Sequence, residues 1–82
     1  MNKNLKTLKI ILDGKSDSNI AFSDLRNLLL FLNFDERTKG SHHIYRRDEI
    51  SEMINLQRDG SKAKSYQVKQ IRAIILKYNL NK

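Results

Sequence analysis

Phe34-Asp35-Glu36-Arg37-Thr38-Lys39-Gly40-Ser41-His42-His43-Ile44-Tyr45-Arg46 is the stretch whose reading decides the fold. Residues 34–38 and 42–46 read as extended, and Lys39-Gly40 supplies turn chemistry between them, so the segment predicts a β-hairpin. Arg46-Arg47-Asp48-Glu49 makes a second polar turn, which Asp48 and Glu49 decorate. Beyond it Ile50, Ile54 and Leu56 share one parity while Met53, Asn55 and Gln57 share the other, as in a half-buried third strand. Asp59-Gly60-Ser61 ends that strand.

Helical patterns flank this meander. Upstream, Leu25, Leu28, Leu29 and Leu32 mark one face of a helix over about 23–33, with Ser23 as N-cap and Asp24 in the first turn. Leu30 and Phe31 widen the stripe and imply burial on more than one side. Downstream, Val68, Ile71, Ile74, Ile75 and Tyr78 form the stripe of a helix over about 66–78, capped by Ser65, with Lys69 and Arg72 on another face. Further upstream, Leu5, Leu8, Ile11 and Leu12 predict a short accessory helix over about 4–13 that stops at Gly14. Lys15-Ser16-Asp17-Ser18-Asn19 reads as a polar linker. The expected fold class is therefore α+β. A three-stranded antiparallel sheet is packed by two helices (α-β-β-β-α), with an extra N-terminal helix. Helices on one sheet face leave the other face and its loops for function.

With 82 residues the chain fits a single domain over 1–82. A chain of this size buries only roughly 60–65% of its unfolded surface. Cysteine is absent, which excludes disulfides, thiolate zinc sites and thiol nucleophiles. The longest apolar run, Leu28 to Leu32, is far short of a membrane span, and Lys9 and Asp13 break any signal-peptide core, so a cytoplasmic protein with no membrane partner is expected. Sixteen Lys and Arg against nine Asp and Glu give +7. Residues 1–36 hold five of each sign and net zero, so residues 37–82 carry the whole excess with eleven basic and four acidic groups. Such a bias suits phosphate, an anionic membrane or an acidic protein partner.

His42 and His43 are the only histidines. Adjacent strand residues point to opposite faces, so the two do not act as a pair and no metal site is expected. One histidine can still serve as general base or acid near neutral pH. RNA suits so sparse a site because its 2′-OH is a built-in nucleophile, and nearby Lys or Arg can stabilise the charge that builds on the phosphate. Lys62 and Lys64 stand just ahead of the last helix, where backbone N–H groups and the dipole attract anions. Tyr45 and Tyr66 are candidates for stacking on bases, against the plainer reading that they belong to core and rim.

The segment Phe34–Tyr45, with its aromatic residue closing a helix, then Arg37, Lys39-Gly40-Ser41-His42 and the pair Ile44-Tyr45, resembles the signature of HicA-type toxins, the RNA-cleaving halves of HicA–HicB toxin–antitoxin modules. That family's fold is similar to a double-stranded-RNA-binding domain, the α-β-β-β-α order read for residues 23–78. The resemblance implies a type II toxin, a metal-independent and cofactor-free mRNA interferase with His42 catalytic and His43 without a role. It places RNA contacts at Arg37, Lys39, Ser41, Lys62, Lys64 and Lys69. It also implies an acidic HicB-like antitoxin covering His42 and the basic face, in a higher-order toxin–antitoxin complex. Residues 21–82 would be the HicA-like core and 1–20 a helical extension. Ser65-Tyr66-Gln67 stands where the family's last helix often begins near proline or glycine-threonine. The alternatives are a non-catalytic RNA-binding module of the same fold and a protein-interaction domain whose basic face meets only an acidic partner.

Overall fold

A computed structural model describes residues 2–81. Helix α1 (Lys3–Asp13) starts where the Asn2 side chain accepts from the Asn4 amide at 2.7 Å. It stops at Gly14, whose left-handed φ of 73° lets its N–H close on Ile11 O. Ile11 is fully buried and Leu8 nearly so. Burying such a side chain is worth roughly 1.5–3 kcal/mol, so α1 belongs to the core and is more than an accessory.

The polar stretch after α1 is no free linker. Asp17–Asn19 forms a 3-10 turn, and Asp17 takes both guanidinium nitrogens of Arg72, at 2.8 and 3.1 Å. Arg72 also donates to Ile11 O at 3.2 Å. One arginine thus binds the end of α1 and the 3-10 turn together.

Helix α2 (Phe22–Phe31) is capped by Ala21, two residues before the expected Ser23, which lies inside the helix. The cause is tertiary. Ala21 bridges Lys62, Phe22 N donates to Ser61 O and Ala63 N donates to Ile20 O, so the chain is held extended up to Ala21. The helix can begin only where that ladder ends. Phe22, Leu25, Leu28 and Leu29 are buried, whereas Leu30 and Phe31 are 37% and 44% exposed, so the buried stripe is one-sided.

Strands β1 (Asp35–Lys39), β2 (His42–Arg47) and β3 (Ile50–Leu56) form an antiparallel sheet in that order. Gly40 turns the first hairpin with φ 61°, a conformation that glycine adopts without a steric penalty. An irregularity between Tyr45 and Arg47 shifts the β2–β3 register. Two short strands follow that periodicity did not reveal, β4 (Arg58–Asp59) and β5 (Lys62–Ala63). Helix α3 (Ser65–Lys77) is capped by Lys64, and the expected cap Ser65 is its first helical residue. Val68, Ile71, Ile74 and Ile75 are buried against Tyr45, Ile54 and Leu56 in one core. The molecule is α+β, with a three-stranded antiparallel sheet flanked by helices that include α1.

Candidate nucleic-acid interface

Cross-strand partners share a sheet face, so the register sorts every side chain. Glu36 opposite Tyr45, and Thr38 opposite His43, lie on the helix-covered face, as do Ile54 and Leu56. On the open face Lys39 is opposite His42, Arg37 is opposite Ile44, which is itself opposite Asn55, and Asp35 is opposite Arg46. Arg46 reaches Met53 Sδ at 3.2 Å, extending the last row to β3.

His42 is exposed at the first position of β2. Its Nδ1 lies 3.2 Å from Asn55 Oδ1. An amide oxygen only accepts, so in the neutral ring this contact favours the tautomer with the proton on Nδ1 and the lone pair on Nε2. Asn55 is held in turn, because the Gln67 amide donates to its backbone carbonyl at 3.2 Å. Gln67 lies in the first turn of α3, so the helix start and the His42 face meet at one residue.

His43 sits on the opposite face, half-buried, edge-on to Phe22 at 4.9 Å. Its Nδ1 is 3.8 Å from Glu36 Oε2 and has no hydrogen-bond partner among the described residues. Beneath it Glu36 accepts from Arg26 at 2.8 and 2.9 Å and from the Tyr45 hydroxyl at 2.5 Å. Hydrogen bonds from Arg26 hold the Glu36 carboxyl below its usual range, while burial pushes the Tyr45 phenol up. Tyr45 is fully buried and cannot stack on a base, which corrects one of the two stacking candidates. Tyr66 is 61% exposed on the first turn of α3.

The structure therefore gathers Arg37, Lys39 and His42 on the open face, with Ser41 in the adjoining turn. Lys62 lies on β5, where its ammonium donates to Asn19 Oδ1 at 2.8 Å, and Lys64 is the half-buried cap of α3. Lys69 stands apart on α3. Its charge acts with Arg72 on Asp17, whose carboxyl is held below the usual range chiefly by the Arg72 hydrogen bonds. Three residues absent from the sequence-derived set, Asn55, Arg46 and Met53, share the His42 face. The parity that groups Met53 with Asn55 was the signal that could have found two of them.

No family model, curated protein or solved structure matches this chain. Among the described residues no group of three His, Asp or Glu side chains is placed to hold a metal ion, and no helix is long and apolar enough to cross a membrane.

Proposed function

We propose that the protein is the ribonuclease toxin of a HicA-like toxin–antitoxin pair, with His42 as the base that starts RNA cleavage. The observation that carries this reading is the placement of His42: exposed, opposite Lys39, with Nδ1 against Asn55 Oδ1. In that tautomer Nε2 takes the proton of a ribose 2′-OH. The 2′-oxygen then bonds to the adjacent phosphorus, the bond from phosphorus to the 5′-oxygen breaks, and that oxygen leaves as a hydroxyl by taking a proton from water, while the His42 imidazolium returns its proton to solvent. The products are a 2′,3′-cyclic phosphate and a 5′-hydroxyl end. Lys39 and Arg37, on the same face, stabilise the charge that grows on the phosphoryl oxygens. The chemistry draws its nucleophile from the substrate, so it calls for no metal and no cofactor. An acidic HicB-like antitoxin lying over the open face would cover His42 and neutralise Arg37, Lys39 and Arg46 together.

Induced expression of the wild type should arrest growth and fragment cellular RNA, and His42→Ala should abolish both. General-base catalysis is worth roughly 100- to 10,000-fold, so the loss is unmistakable. Full toxicity in the alanine variant would refute the assignment. RNA binding that persists in a wild type unable to cleave would favour the non-catalytic module instead.

A further inference from the structure

The open sheet face carries, beyond the Lys39–His42 row, a hollow of about 610 Å³ lined by Arg37, Ile44, Arg46, Met53, Asp35, Glu36 and Asp48. We infer that this hollow is a nucleotide subsite, and that the substrate crosses the sheet as a single strand. The inference rests on the ribonuclease reading and adds to it where the base next to the cut is held and what form of RNA fits.

Three features carry it. The first is position. The Lys39–His42 row, the Arg37–Ile44–Asn55 row and the Asp35–Arg46 row follow one another on a single face. Neighbouring rows lie about 7 Å apart, two strand residues, so a phosphate at His42 puts its own or the next nucleoside over the hollow. The second is chemistry. Ile44 and the half-exposed Met53 give an apolar floor for the face of a base, and Met53 adds a polarisable sulfur. Arg37 and Arg46 are planar cations that can lie over a base or grip the flanking phosphate. Asp35 and Asp48 can only accept hydrogen bonds, which matches the amino groups of adenine, cytosine and guanine.

The third feature is shape. A base can reach this floor only when it is unpaired and splayed, which a duplex forbids. The residues suited to a duplex backbone, Lys62 and Lys64 at the α3 start, lie on the β5–α3 side and not in these rows. The Lys39–His42 row offers a cation to the phosphate, whereas around the hollow three carboxylates, Asp35, Glu36 and Asp48, stand against two arginines, which suits the amino edge of a base and not a phosphate.

Fluorescence anisotropy on the His42→Ala protein tests this, using a labelled single-stranded RNA and the same sequence annealed into a duplex, at about 50 mM salt where phosphate contacts are strong. The single strand should bind the more tightly. Arg46→Ala and Ile44→Glu should each weaken it at least about tenfold, the usual consequence of losing one contact to a base or phosphate. Lys9→Ala, an exposed change on α1, should leave it unchanged. Duplex preference, or binding undiminished in both open-face variants, overturns the subsite while leaving the nuclease reading intact. Absence of binding to either RNA by the His42→Ala parent overturns both.

Discussion

The contact between His42 Nδ1 and Asn55 Oδ1 makes the site's proton inventory depend on a neutral amide. Exchanging that amide for a carboxylate tests it with almost no change of shape. In Asn55→Asp the new charge favours the imidazolium over the neutral base. The base form then appears only at higher pH, and the acidic limb of the cleavage profile should move up. Asn55→Ala removes the tautomer bias and should lower the cleavage rate without moving that limb as far. The ring protons of His42, followed by NMR across pH, give a readout independent of RNA. His43 serves as the internal control because it faces the other side of the sheet. An unmoved His42 titration in Asn55→Asp would show that Asn55 sets nothing. The same alternation decides between the two readings of Tyr45, base stacking and core. Tyr45 shares the parity of His43, so placing His42 on the open face already assigns Tyr45 to the core.

At the scale of elements, Arg72 is the device that joins the N-terminal region to the last helix. It holds Asp17, contacts Ile11 O, and its guanidinium lies 3.3 Å from where a Cβ at Gly14 would stand. Arg72→Met should cost about 1–2 kcal/mol, since it strands a mostly covered Asp17 and a helix-end carbonyl. For a domain of this size each kcal/mol lowers the Tm by roughly 4–8 °C. The loss should be local: amide exchange in α1 and the 3-10 turn quickens while β2 keeps its protection. Equal acceleration throughout would mean that Arg72 supports the whole core evenly. This connection was not legible in the sequence, because Asp17 and Arg72 are 55 residues apart and a lone Asp in a polar stretch looks like any linker residue. The start of α2 was hidden for the same reason, being set by a ladder to Ser61, Lys62 and Ala63 and not by Ser23. The meander and the two flanking helices were legible, since strand parity, Gly40 and leucine spacing are local signals. Strands of two residues, such as β4 and β5, have no period to detect.

For the whole molecule, three hydrogen-bonded carboxylates among the described residues tie separate elements together: Glu36 joins β1 to α2 through Arg26, Asp17 joins the 3-10 turn to α3, and Glu52 joins β3 to Lys77 and Tyr78 at the end of α3. These pairs also show that the linear charge asymmetry does not map onto two halves in space, since Asp17 from the neutral part meets Arg72 from the basic part. All three carboxyls are held below their ordinary values, Glu52 to about 2, mainly through hydrogen bonds from Tyr78 and Lys77. A depressed carboxylate binds fewer protons folded than unfolded. Its contribution is therefore complete above the ordinary value of 4.5 for glutamate and drains away as pH falls toward the lowered folded value. Thermal unfolding followed by circular dichroism should show a Tm that is level from pH 7 to about 5 and then declines steadily. Glu36→Gln separates this linkage from general repulsion within a chain of charge +7. It should lower the Tm at pH 7, because Arg26 loses its anionic partner, and it should decline less steeply in acid, so that the two curves draw together as pH falls below the ordinary range of the group. Curves that stay parallel down to pH 3 would mean that acid acts through overall charge, and that the Glu36 cluster does not set the stability of the sheet beneath His42.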